Sequence, residues 1–279
     1  MRYSEYHPQP PLSQFVECFW TLESKQASVP TTPERILPDG CVELILNFGD
    51  HFTQHQDGSR FDQPRNFLVG QMTGPILISP TGAVELIGIR FHPGGTPPFF
   101  KVPLHEITDR IVKLSDLAQT FEKELLESAA DESCLAKRLN AIEAVLLKTV
   151  EHSSHNSFVQ QLAAEIVDSG GLTSIDLLAH HAGISTRQLE RRFLNEVGLS
   201  PKVLSRILRF QQVFRAIEYC KGEWAPIALE CGYYDQAHLI RDFNQFAQQT
   251  PAILLAEQTK LAEAFTRKSR MSHFSNTDS

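Results

Sequence analysis

The chain has 279 residues, 42% hydrophobic and 21% charged, the composition of a globular protein long enough for two domains that each bury a core. No run of about 18 apolar residues occurs, which excludes a membrane-spanning helix, and the first residues lack a signal-peptide core, so a cytoplasmic protein is expected. The net charge of −7 argues against a uniformly basic nucleic-acid binder; five dispersed cysteines (Cys18, Cys41, Cys134, Cys220, Cys231) without a CxxC pair argue against a disulfide framework or a zinc site.

The first 115 or so residues read as β-rich. Cys41 to Phe48 and Ala83 to Phe91 mix alternating apolar positions with β-branched residues, and turn signals bound them at Pro38-Asp39-Gly40, Gly49-Asp50, Asp57-Gly58, Thr81-Gly82 and Pro93-Gly94-Gly95. Short strands separated by such turns predict an antiparallel barrel or sandwich. From Ser115 the period changes to that of helices. Leu117, Phe121 and Leu125 form one apolar stripe, and Leu135, Leu139, Ile142, Leu146 and Val150 form another within 131–151. These helices either cover the open end of the barrel or join two copies of the chain. The polar segment 151–157 is the expected domain boundary. Helical patterns fill 158–265, and the polar, charged tail 266–279 is expected to be disordered.

The helical half contains a repeat. Leu178-Ala179 through Gly183 to Phe193 is echoed by Ile227-Ala228 through Gly232 to Phe243. Leu189, Arg191, Phe193 and Pro201 return 50 positions later as Leu239, Arg241, Phe243 and Pro251. Upstream of the turn the offset is 49, so the second turn has one more residue. Ala179 and Ala228 are small where two helices must pack closely. Gly183 and Gly232 suit the chain's exit from a first helix. Ser185 and Asp235 are good N-caps, and Gln188 completes a capping box with Ser185. Ser200-Pro201 and Thr250-Pro251 each start a following helix. This is the helix-turn-helix pattern, twice. Between the units a helix from Pro201 to about Tyr219, with Leu204, Leu208, Val213 and Ile217 in a stripe, spans about 30 Å, close to one turn of B-DNA. Both second helices could then reach two adjacent major-groove segments.

Charge supports this placement. Residues 1–157 hold 13 basic against 20 acidic residues, whereas 187–215 holds Arg187, Arg191, Arg192, Lys202, Arg206, Arg209 and Arg215 against only Glu190 and Glu196. The basic window gives phosphates a docking place on an otherwise acidic molecule.

Over roughly 158–260 these residues resemble the DNA-binding domain of the AraC/XylS family of transcriptional regulators: Ser-Pro, then Arg and Ala in the long helix, Ile-Ala, Gly, Arg, Phe and Thr-Pro. The chain departs from that pattern at Gln248-Gln249, where the family usually has Gly, and at Leu239, where an aromatic is usual; Ala252-Ile253-Leu254-Leu255 lacks the common Tyr-Arg. The N-terminal part, with Pro38 to Ile45 and Arg90-Phe91-His92-Pro93-Gly94-Gly95, is similar to a β-rich domain carried by a subset of the family. The resemblance implies a two-domain chain: a β-rich, barrel-like (cupin-like) sensor or dimerisation domain at 1–157, with helices over 115–151, and an all-α domain of two helix-turn-helix units joined by a long helix at 158–265. It implies a sequence-specific regulator that binds double-stranded DNA, with a small-molecule effector, a homodimer and, for an activator, RNA polymerase as further partners. No cofactor, metal or catalytic residue is expected, and the effector-binding residues are not legible.

With Leu189 and Phe193 facing inward, Thr186, Arg187, Gln188, Glu190 and Arg191 lie on or near the open face of the first unit. The resemblance implies base reading by Arg187, Gln188, Glu190 and Arg191 there and by Gln236, Ala237, His238 and Arg241 in the second unit, with Arg192 a phosphate or surface residue and Ser185 heading a helix that suits a phosphate. Arg can hold guanine bidentately, Gln adenine, and Glu accepts from cytosine. Ser200 and Thr250 head helices whose free N–H groups suit phosphates. Arg206 and Arg209 stand open between phosphate contact and pairing within the domain.

Two other readings fit the sequence less well. A metal-dependent cupin-type enzyme fused to a DNA-binding module needs clustered ligands, but His92 stands alone after a strand, and His51 with His55 reads as a turn. A protein-interaction module that has lost DNA would not keep Arg187, Arg191 and Arg241 on its open faces. Trp20, Phe91, Phe99 and Phe100 read as core in preference to a ligand pocket.

Overall fold

The computed structural model describes residues 1–24, 33–130, 134–151, 153, 158–219 and 224–256. The tail 266–279, Cys220 and most of the 151–157 boundary lie outside the described residues.

The β-rich half contains β1 (Arg2–Tyr6), β2 (Val16–Ser24), β3 (Glu34–Ile36), β4 (Val42–Asn47), β5 (Phe52–Gln56), β6 (Ser59–Asp62), β7 (Asn66–Val69), β8 (Ile76–Pro80), β9 (Val84–Phe91) and β10 (Ile111–Lys113). They form two antiparallel sheets, one six-stranded in the order β1-β2-β9-β4-β7-β10 and one four-stranded in the order β3-β8-β5-β6. Alternation along the strands assigns the large sheet's two faces. Leu44, Leu46, Ile87, Ile89 and Phe91 face one core, whereas Trp20, Ile45, Phe67 and Leu86 face another, toward the small sheet. A strand covered on both faces needs apolar residues at nearly every position, which is why these segments mix alternation with continuous hydrophobic runs.

The cover on the first face is a helical hairpin, α1 (Leu114–Ala130) and α2 (Leu135–Glu151). Leu125, Ala129, Leu139, Ile142 and Leu146 are buried in one cluster with Leu44, Ile89 and Phe91. The two stripes seen in the sequence therefore pack on the chain's own sheet, and they provide no argument for a dimer. Helix α1 is kinked at Ala118, which the periodicity of Leu117, Phe121 and Leu125 does not reveal. Phe91, Phe99 and Phe100 are core, in aromatic contact with one another or with Phe121. One expectation needs correction: His55 lies within β5 and hydrogen-bonds Ser79 at 3.0 Å, so it is a strand residue and not part of a turn with His51.

The helical half comprises α3 (Phe158–Asp168), α4 (Ile175–His181), α5 (Thr186–Glu196), α6 (Pro201–Tyr219), α7 (Trp224–Glu230), α8 (Gln236–Phe246) and α9 (Pro251–Ala256). They enclose one core. Helix α6 runs through it, packed on α3 and α5 on one side and on α7 and α8 on the other. Its buried set is therefore wider than a single stripe: Ile207, Phe210, Phe214 and Ala216 join Leu204 and Val213, while Leu208 and Ile217 are only partly buried. Phe210, Phe214, Phe243 and Phe246 form an aromatic cluster, on which Trp224 packs edge-on at 6.4 Å from Phe243.

The halves meet over a built contact. Leu37, just past β3, is buried in the helical core at 8% exposure. Gln211 of α6 donates to the carbonyl of Pro38 at 2.5 Å, and a Cβ on Gly40 would lie 3.0 Å from Leu204. Two further bonds reach the reading units. Thr108 Oγ1 donates to the carbonyl of Gly198, after α5, at 2.7 Å, and Arg35 Nη1 donates to the carbonyl of Ala247, after α8, at 3.1 Å.

Candidate nucleic-acid interface

Each unit is assembled by the same backbone device. After α4, Gly183 N–H donates to His180 and Ile184 N–H to Ala179; after α7, Gly232 N–H donates to Leu229 and Tyr233 N–H to Ala228. These paired bonds satisfy the last carbonyls of the first helix and require a left-handed residue, which Gly183 (φ 67°) and Gly232 (φ 72°) provide. Four residues separate α4 from α5 and five separate α7 from α8, the one-residue difference noted in the repeat.

The second helices start on caps. Ser185 Oγ accepts from Gln188 N–H at 3.2 Å, and Gln188 Oε1 accepts from Ser185 N–H at 3.0 Å, a complete capping box. Asp235 Oδ1 accepts from His238 N–H at 2.7 Å. Thr186 Oγ1 also reaches Asp176 of α4, so the start of α5 is fixed to its own first helix.

At about 100° per residue the open face follows from the buried one. Leu189 and Phe193 are fully buried on α5, and Leu239, Phe243 and Phe246 on α8. Arg187 and Arg191 then stand at the centre of the α5 face, and Ala237 and Arg241 at the centre of the α8 face, all exposed. The same construction adds Asn195 to the first face, and Asn244 and Gln245 to the second. These are exposed residues that a reading confined to the first turns of each helix misses.

Several expected residues have other contacts. The capping box engages Gln188 Oε1, so bidentate recognition of adenine would require opening the box. Arg192 stacks on Phe158 at 5.1 Å, on the flank of α5. Beside it, burial raises the Glu196 carboxyl while Arg192 lowers it. His238 is half-buried edge-on against Tyr233 at 5.2 Å. Arg241 Nε donates back to Ala237 at 3.3 Å, leaving the guanidinium exposed. Glu190 and Gln236 are exposed.

The two arginines left open on α6 are turned into the domain. Arg206 Nη2 lies 2.6 Å from Asp242 Oδ1 and 2.6 Å from Gln245 Oε1, and stacks on Phe246. Asp242 is 1% exposed, so this pair links α6 to α8 from inside. Arg209 stacks on Tyr233 at 5.6 Å. Asp242 was missed because it lies on the flank of the inward face, where its partner 36 residues earlier is invisible in the sequence. Ser200 Oγ caps α6 by accepting from Val203 N–H at 3.3 Å, and Thr250 is exposed at the start of α9.

Among the described residues no group of three or more His, Cys, Asp or Glu is placed to hold a metal ion, and no described helix is long and apolar enough to cross a membrane.

Comparison with known proteins matches residues 178–257 to a helix-turn-helix domain family and residues 4–113 to a domain of unknown function, DUF6597. No curated protein sequence matches the chain. Among solved structures, the chain is similar to ToxT from Vibrio cholerae at 10% identity and a TM-score of 0.40, covering 86% of this chain and 99% of that one. It is also similar to wild-type ToxT from strain SCE256 bound to an unsaturated fatty acid, at 10% identity and a TM-score of 0.43, with 87% and 96% covered. The AraC-like transcriptional activator CuxR is similar at 12% identity and a TM-score of 0.27, with 77% and 86% covered. All three likenesses are distant.

Proposed function

We propose that this chain is a transcriptional regulator of the AraC type that binds two adjacent major-groove segments of double-stranded DNA through α5 and α8, a reading supported by the match of residues 178–257 to a helix-turn-helix domain family. The observation that carries the reading is the doubled unit itself. Two capped helices, each behind the same left-handed glycine turn, present Arg191 and Arg241 outward at matching positions, with Arg187 beside Arg191 on the first. The 19 residues of α6 span about 28 Å, near the spacing of successive major grooves on one face of B-DNA.

Arg187 and Arg191 are the base readers of the first unit, flanked by Thr186, Gln188 and Glu190. Gln236, Ala237 and Arg241 act in the second, with Ser185, Ser200 and Thr250 near phosphates. Arg206 and Arg209 support the fold, because their guanidinium groups are held against Asp242 and Tyr233. Residues 1–157 form the sensor half and 158–265 the DNA-binding half, and the first half conveys a small-molecule effector's presence to the second.

A gel shift of the full chain on a library of randomised duplexes, at low and high salt, tests the reading. Selective binding that weakens steeply with salt, and that Arg187→Ala and Arg191→Ala reduce, is the expected result. No binding at low salt by a folded protein overturns it.

A further inference from the structure

A cavity of about 70 Å³ lies between the two sheets. Its walls are chiefly apolar, from Trp20, Ile45, Phe52, Phe67, Ile78 and Leu86. Toward the helical half the lining turns polar: Arg35, Asp39, Cys41 and Glu43, with Gln211 of α6. The lining therefore crosses from one domain to the other.

The charge at that end is unequal. Two carboxylates, Asp39 and Glu43, line the cavity against one guanidinium, Arg35, which already donates to Ala247. Behind the wall Arg90, 1% exposed, pairs with Glu43 at 2.8 Å and with Asp39 only at 3.7 Å. A third carboxylate, Glu17, accepts the Cys41 thiol at 3.6 Å. Glu43 Oε1 is taken by Trp20 Nε1 and Arg90 Nε, whereas Asp39 Oδ1 accepts from Cys41 N–H at 2.9 Å and Asp39 Oδ2 has only the longer, 3.7 Å ion pair with Arg90. Burial pushes its carboxyl up to about 6 in spite of Arg90. An ammonium entering beside Asp39 would bring a second positive charge next to this carboxylate.

The size of the cavity matters as much as its charge. A dry apolar cavity that holds benzene measures about 150 Å³. A ring compound can enter this one only if part of the wall yields. Strands β4 and β7 are hydrogen-bonded in the centre of the large sheet, but residues 35–41 form an edge strand's end and a loop. That segment makes the contacts with the helical half already described: Arg35 to Ala247, Leu37 in the helical core, Pro38 to Gln211, and Gly40 against Leu204.

We propose that this cavity is the effector site, that it takes a small aromatic or aliphatic amine with its ammonium beside Asp39, and that its filling is conveyed to α6 and α8 by displacement of residues 35–41. The ligand-binding part stands without DNA recognition; the conveyed part rests on the regulator reading above.

The test uses the full chain and a matched set of probes, 4-fluorophenethylamine, 4-fluorophenylacetate and 4-fluorotoluene, observed by fluorine NMR in the absence of DNA. The amine is expected to bind at least tenfold more tightly than the acid or the hydrocarbon, and Asp39→Asn to reduce amine binding about tenfold. Ile78→Phe, which fills the cavity without touching the charged end, is expected to abolish amine binding while leaving the fold intact by circular dichroism. Preference for the acid, held at Arg35, overturns the ligand class. Binding unchanged by Ile78→Phe, or no binding of any probe, overturns the site. A gel shift with saturating amine then reads the coupling: a change in DNA affinity of threefold or more is expected. Bound amine with unchanged DNA affinity overturns the transmission alone, and bound amine on a protein that binds no DNA overturns the regulator reading and not the site.

Discussion

Gln248 holds a left-handed backbone (φ 53°) at the turn that follows α8, and Gly198 holds the same conformation (φ 91°) 50 positions earlier, after α5. The departure from a Gly-rich pattern noted in the sequence is thus a strained position and not a different turn. A side chain there costs about 1–2 kcal/mol, partly offset because glycine loosens the unfolded chain. Gln248→Gly is expected to stabilise the second unit by about 0.5–1 kcal/mol in urea melts. Gly198→Ala is expected to cost about 1 kcal/mol or more, since its Cβ would also sit 3.2 Å from the Leu104 carbonyl. Asp39 gives a pH prediction. Its folded carboxyl titrates at about 6 against 3.8 in the reference state, chiefly through burial. Between those values the folded chain binds more protons than the unfolded one, so this group adds stability as pH falls from 7 toward 4 and loses it as pH rises through 6. Urea melts at pH 5 and pH 7.5 should show a relative gain at the lower pH, on the order of 1 kcal/mol, that Asp39→Asn removes. An unchanged difference in the variant would assign the pH dependence to other groups.

The reading helices are built alike and equipped differently. Around the face centre α5 offers Arg187, Arg191 and Asn195, whereas α8 offers Ala237, Arg241 and a Gln245 already bonded to Arg206. His238 is packed on Tyr233. A bidentate base contact is worth roughly 1–3 kcal/mol of discrimination. Arg187→Ala or Arg191→Ala should therefore relax sequence preference about tenfold, while Arg241→Ala lowers affinity evenly across sequences. Selection from a randomised site checks this, and a stricter half-site under α8 would contradict it. The elements themselves were largely legible: caps, glycine turns and the proline starts of α6 and α9 are local signals carried by one or two residues each. The missing parts were through-space. Nothing in the sequence around Asp242 or Arg90 names a partner 36 or 47 residues away, nor does the pattern after β3 show that Leu37 belongs to the other half's core. The kink at Ala118 was hidden because the apolar spacing on either side of it stays helical.

Across the whole molecule, the contact through Leu37 makes the halves unequal in independence. Among the described residues, the helical core is drawn from Val159 to Leu254 except for this one side chain. Burying a leucine is worth about 1.5–3 kcal/mol. The isolated fragment is therefore expected to fold and bind DNA, but to be less stable than the same residues in the full chain by at least that amount, since the hydrogen bonds to Pro38 and from Thr108 and Arg35 are lost with it. Hydrogen exchange of α6 amides in both settings measures it, and equal protection would mean the contact adds nothing. The halves are also distinguishable by light. The chain has two tryptophans, Trp20 in the cavity wall with its indole N–H on Glu43, and Trp224 against Phe243 in the second unit. Each domain thus carries one intrinsic fluorophore, one in the cavity wall and one against the helical core. In a Trp224→Phe chain all tryptophan emission would come from the cavity, so the colour and quenching of Trp20 would report what enters between the sheets without any added label.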